Sequence, residues 1–199
     1  MKYIHRTVAL TAIFSAAALL AGCASQRTSM GAGPAVVTTA APAAVAAAPA
    51  AARLSAADVQ FIAIAAGSGM YEVEAARLAS TRAADPQVRA YAQMLVEHHT
   101  ANNNELMALV SSKGQRVAPG LPAALQQKVT TLSGLSGAAF DREFIRMTGV
   151  QDHAAAIAAF EKGRGAVTDR DLQAYIDKSL PVLRSHLTQA QHLAGRVAG

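Results

Sequence analysis

Four stretches between residues 54 and 197 carry apolar side chains at alternating three- and four-residue spacing, the strongest constraint on the fold of this chain. Such spacing builds one apolar face on a helix of 3.6 residues per turn. The first seam reads Phe61, Ala65, Ser68, Glu72, Ala75 and Ala79, and the second Val88, Ala92, Leu95, His99, Asn102, Leu106 and Leu109. In the third stretch, residues 138–162, the inward set near the middle is Val150, His153, Ile157 and Phe160. The fourth reads Leu172, Ile176, Ser179, Leu183, His186, Ala190 and Leu193. No alternating pattern of useful strand length accompanies them, so the expected fold class is all-α.

The ends of the stretches carry their own signals. Ser55 with Asp58 three residues on resembles a capping box, and Asp85 before Pro86 is an N-cap followed by proline at the first helical position. Gly114 closes the second helix, and the fourth starts near Thr168 or Asp169 with Asp171 in its first turn. Pro181 lies inside the fourth helix, where its ring opposes the carbonyl of Asp177 and predicts a kink. The second and third helices are joined by about 20 residues with Pro119 and Pro122 and a short helix at residues 123–132. Two helical hairpins with a long crossover form a ferritin-like four-helix bundle, and this is the expected architecture. An up-down bundle with an ordered connecting loop is the alternative.

Each seam is interrupted where a leucine would be expected, by Glu72, His99, His153 and His186. A buried, unpaired carboxylate costs several kcal/mol, so Glu72 needs a cation or donors opposite it. All four residues fall near mid-helix, and bundles build metal sites from inward side chains of facing helices. One carboxylate and three imidazoles suit a single zinc, copper, nickel or iron ion. A metal-free polar cluster is the other reading. A di-iron centre is not expected, because acid and histidine are adjacent in Glu97-His98-His99 and Asp152-His153 instead of three residues apart. His98, Glu74, Glu97 and His192 lie off the seams and are expected to be solvated; Met70, Met94, Met107 and Met147 are expected to pack. The sequence contains no glycine-rich phosphate loop and no serine elbow, so no catalytic residues are assigned.

The first 53 residues differ in kind. Lys2 and Arg6 precede an uncharged apolar run of 15 residues, 7–21, and then comes Leu20-Ala21-Gly22-Cys23. A basic start, a short apolar run and small residues before a cleavage point make a secretory signal over residues 1–22. The last four residues resemble the lipobox of bacterial lipoproteins, which implies acylation at Cys23 and anchoring in a membrane. Ala24 in place of Asp after the cysteine favours the outer membrane by the usual lipoprotein sorting pattern. Residues 23–53, rich in Ala and Pro and nearly uncharged, read as a disordered tether. Residues 54–197 then form the bundle domain, facing the periplasm. Of the 18 basic residues, 16 remain after the signal against 13 acidic ones, too slight an excess to suggest nucleic acid.

Five segments extend the reading. They are Tyr71-Glu72-Val73-Glu74 with Leu78-Ala79, the run Met94-Leu95-Val96-Glu97-His98-His99-Thr100-Ala101-Asn102, Ser136-Gly137-Ala138-Ala139-Phe140-Asp141, Gln151-Asp152-His153, and Leu180-Pro181-Val182-Leu183-Arg184-Ser185-His186-Leu187. Through them, residues 58–193 resemble the family catalogued as domain of unknown function 4142, a ferritin-like group of bacterial envelope proteins. The family usually has Asp before the histidine of the second helix, where this chain has His98. The resemblance implies a ferritin-like bundle, an envelope location and a shared site at the seam residues, with no assigned activity. The sequence-level expectation is therefore a lipid-anchored protein with a non-enzymatic envelope or stress-related binding role. The alternatives are a mononuclear metal protein on Glu72, His99, His153 and His186, and a helical module docking another envelope protein beside Pro181.

Overall fold

The computed structural model describes residues 53–198. The expected signal sequence, Cys23 and all of the tether but Arg53 lie outside the described residues. Helix α1 spans Ala56–Arg82, α2 Pro86–Ser112, α3 Ala123–Ser133, α4 Gly137–Phe144, α5 His153–Ala166 and α6 Arg170–Val197. A π-helical segment, Ile145–Asp152, joins α4 to α5, so these three pieces make one long third helix. Among the described residues there is no strand, and no helix is long and apolar enough to cross a membrane.

The helix ends follow from local hydrogen bonding. Ser55 Oγ accepts from the Asp58 amide at 3.1 Å while Asp58 Oδ2 accepts from the Ser55 amide at 2.7 Å, a complete capping box. The same buried carboxylate accepts from the amides of Thr168 at 2.8 Å and Asp169 at 3.2 Å, joining the start of α1 to the start of α6. Burial opposes ionisation of Asp58, but these bonds outweigh it and hold the carboxyl well below the usual range. Asp141, also buried, accepts from the amides of Ala84 and Asp85 and ties the α1–α2 turn to α4. Beyond α2, Gly114 takes a left-handed φ of 69°, as a helix-closing glycine does.

Helix α1 packs against α2 and α5, and α6 packs against α2 and α5. The order of side chains fixes direction. One apolar cluster holds Tyr71, Ala75, Val88, Leu95, Phe140, Phe144 and Ala190; the other holds Phe61, Leu106, Phe160, Leu172, Ile176 and Leu183. Helices α1 and α6 run from the second cluster toward the first, whereas α2 and the third helix run from the first toward the second. With α2 parallel to the third helix, a crossover must return the chain along the bundle, and residues 113–136 with α3 do so. This is the ferritin-like arrangement, and it excludes the up-down alternative.

All seven expected seam positions of α6 are buried, and the helix continues through Pro181. The third helix departs from expectation. It is not one uninterrupted α-helix over residues 138–162 but extends from Gly137 to Ala166, with the π segment at its centre. Gly149 allows the close approach: a Cβ there would lie 2.8 Å from the Ala190 Cβ. The wider turn shifts the inward face, so Thr148 is buried while Val150 and Ile157 of the expected set are only half-buried. On each of the four long helices one buried titratable side chain, Glu72, His99, His153 or His186, lies at the junction of the two apolar clusters.

Candidate metal centre

That polar layer is made of Glu72, His99, His153 and His186, buried at 3%, 5%, 0% and 1% exposure. The four sequence-predicted residues are thus brought to one level of the bundle. They are not equivalent. One nitrogen from each of His99, His153 and His186 lies within 4.8 Å of the other two, a group that can hold a metal ion. Glu72 is not part of that group. Its Oε1 is 3.5 Å from His153 Nδ1, on the side of the ring away from Nε2.

Hydrogen bonding fixes the histidine tautomers from the inside outward. The Thr148 carbonyl can only accept, so His153 Nδ1 carries the proton and donates to it at 2.9 Å. His153 Nε2 is left as an acceptor, and His186 Nδ1 donates to it at 3.2 Å. His186 Nε2 must then accept, and His98 Nδ1 donates to it at 2.9 Å. Thr148 is positioned in turn by a 2.9 Å hydrogen bond between its hydroxyl and that of Tyr71. His98, expected to be solvated, is exposed yet lies edge to edge with His186 along that bond, ring centroids 5.1 Å apart and planes 18° apart.

Among the described residues, five buried side-chain polar atoms have no partner; three are Thr100 Oγ1, Asn103 Oδ1 and Asp152 Oδ2, and the other two belong to the layer itself. His99 Nε2 and Glu72 Oε2 are buried and have no hydrogen-bond partner in the protein. Leaving such groups unpaired costs about 1–3 kcal/mol each. The 3.2 Å between His153 Nε2 and His186 Nδ1 is close to the separation of about 3.3 Å for two nitrogens roughly 2.0 Å from one tetrahedral ion.

Burial sets the charge states. It pushes the His186 pKa down to about 3, assisted by His153 and His98. Burial likewise lowers His153 and drives His99 well below the usual imidazole range, the other histidines adding to the latter. All three are therefore neutral at pH 7, as metal ligation requires. Glu72 moves the other way: burial and the nearby Asp152 raise it well above the usual carboxylate range, with Lys128 opposing. Lys128, from α3 in the crossover, pairs with Asp152 and places its ammonium 5.6 Å from the Tyr71 ring centre. A pocket lined by His98, His99, Asn102, Ser179, Leu183 and His186 opens onto one side of the layer.

The family described as "Domain of unknown function (DUF4142)" matches residues 43–193, over three-quarters of the chain. This chain belongs to that family. No curated protein matches it. Among solved structures, a crystal structure of a DUF305 fragment from Deinococcus radiodurans is similar, with a TM-score of 0.65 and 16% identity. The match covers 73% of this chain and 99% of that one, and it supports the fold alone. The DUF4142 fold here places its polar layer at mid-bundle.

Proposed function

We propose that this DUF4142 protein holds one transition-metal ion on His99, His153 and His186 in the centre of its bundle. The observation that carries the reading is a group of three buried imidazoles, each with one nitrogen within 4.8 Å of the other two, in which the buried His99 Nε2 has no hydrogen-bond partner. A purely structural polar layer accounts for the chain from His98 through His186 and His153 to Thr148. It gives no partner to His99 Nε2, which a cation between the imidazoles would supply. Behind His153 the Thr148 carbonyl then takes the Nδ1 proton, and the Glu72 carboxyl, 3.5 Å from the same nitrogen, adds a charge that favours a cation on the far side of the ring.

Three neutral imidazoles suit zinc, copper, nickel or ferrous iron, and three protein ligands leave a position open. The pocket on the His99 and His186 side gives that position access to solvent. We further propose the setting read from the sequence: a chain acylated at Cys23, tethered to the envelope and facing the periplasm, with the outer membrane favoured by Ala24. In that setting the role is binding of a metal ion, with a protein partner of the envelope as a further proposal. The test is elemental analysis of the full chain, purified without a histidine tag and dialysed with each of the four metals. One equivalent of one metal per chain is expected; a folded chain with no metal above background would overturn the reading.

A further inference from the structure

The pocket beside the histidine layer is a groove between α2 and α6 with two unlike ends. Its lining runs from His98 to Glu105 on α2 and from Lys178 to His186 on α6, around a volume of about 200 Å³. These stretches rise about 10–12 Å, so the groove follows the two antiparallel helices for roughly two turns. His99 and His186, with ring centroids 5.2 Å apart, form one end. At the other, Lys178 Nζ pairs with Glu105 Oε2 at 2.5 Å near the surface. Ala101, Val182 and Leu183 supply apolar wall between the two ends.

The polar groups along this wall are spent on one another. Ser179 Oγ donates to Asn102 Oδ1 at 3.1 Å, Asn102 Nδ2 donates to the Tyr175 hydroxyl at 2.6 Å, and Lys178 is held by Glu105. A phosphate or a sugar lying in the groove would have polar atoms left without partners, which is costly. What the groove offers is apolar surface that ends at two of the three proposed metal ligands. Three neutral imidazoles leave the charge of a divalent ion uncancelled, and three protein ligands leave its fourth position open.

We infer that the groove and the open position together bind a small organic carboxylate, with one carboxylate oxygen on the ion and the apolar body along Ala101, Val182 and Leu183. The inference rests on the three-histidine centre proposed above and names the class of ligand that completes it. A cavity of about 150 Å³ holds benzene, so the volume of this groove suits a body of roughly four to seven carbons. Each fully buried methylene strengthens binding about fourfold, and a groove open along one side realises part of that gain. The Lys178–Glu105 end stays in water and limits the length of the body.

The experiment loads the metal-free full chain with one equivalent of cobalt(II), whose visible absorption reports its ligands. The loaded chain is titrated with azide, acetate, 3-methylbutanoate and benzoate. All of these anions are expected to change the spectrum saturably, and the two larger carboxylates to bind at least about tenfold tighter than acetate. Val182→Trp and Ala101→Trp, at exposed positions on facing walls, narrow the groove. Each should cut the advantage of 3-methylbutanoate over acetate to about twofold or less. A cobalt-loaded chain whose spectrum ignores every anion would overturn the inference, because its fourth position is then closed to the groove. Equal affinity for acetate and the larger carboxylates would overturn it too, as would an advantage that persists in both tryptophan variants. A chain that takes up neither cobalt nor zinc fails at the metal centre itself, before any anion is added, an outcome distinct from a loaded centre without a ligand pocket.

Discussion

Replacing His153 by alanine should abolish stoichiometric metal binding and also destabilise the metal-free bundle by about 2–4 kcal/mol. The stability loss has two sources. His153 is fully enclosed, so truncation leaves a cavity between the two apolar clusters. It also removes the partner of the Thr148 carbonyl and of His186 Nδ1, each buried. The binding loss should exceed the ~10–100-fold that removal of an outer-shell partner produces, since one of three ligands is gone. Urea denaturation and a metal-buffered titration check the two parts separately. His192→Ala is the control: an exposed histidine of the same chain whose loss should leave both quantities unchanged.

Glu72→Gln should act in opposite directions on stability and on metal. Without metal, the enclosed carboxyl must hold its proton or remain charged where water cannot reach it, because burial raises its pKa well above the usual range. An amide removes that burden, so the metal-free protein should gain about 1 kcal/mol at pH 8. With metal, the carboxylate behind His153 is lost, and affinity should fall about 10–100-fold. The pH profiles separate the contributions. A raised folded-state pKa means that Glu72 contributes stability below its unfolded value near 4.5, lost as pH rises through its folded value. The histidines have the opposite sign, since burial lowers them. Their contribution is present above an unfolded value near 6.5 and is lost as pH falls toward the folded values, about 3 for His186. Thermal melts of metal-free wild type should therefore weaken on both sides of an intermediate pH, whereas Glu72→Gln should retain only the acid-side loss. Parallel profiles would remove Glu72 from the account.

The depth of the site was legible because helical period determines which residues share a face. Glu72, His99, His153 and His186 could be placed on the interior of four helices, and the structure buries all four. The division of labour among them was not legible. Spacing sets the angle around a helix but not the side-chain torsions, so the sequence did not distinguish an imidazole in the cluster from a carboxylate behind it. Thr148 was missed because the π segment widens the turn ahead of His153, and a period fixed at 3.6 assigns that stretch the wrong inward face. A usable signal was present in Gly149, which interrupts the stripe where the chain needs close approach to α6. His98 was assigned to solvent from its angle, correctly as to exposure. A long side chain beside a seam can still reach inward, and its departure from the family's usual Asp was the available hint. Lys128 and its pairing with Asp152 depend on how the crossover lies across the bundle, which no local periodicity encodes.

X-ray absorption at the metal edge, on the full chain loaded with one equivalent of zinc, tests the three-histidine centre most directly. The predicted spectrum is that of three imidazole nitrogens at roughly 2.0 Å, with one further light-atom ligand in the open position. Zinc held by fewer than two imidazoles, or by a sulfur ligand, would contradict the assignment of His99, His153 and His186.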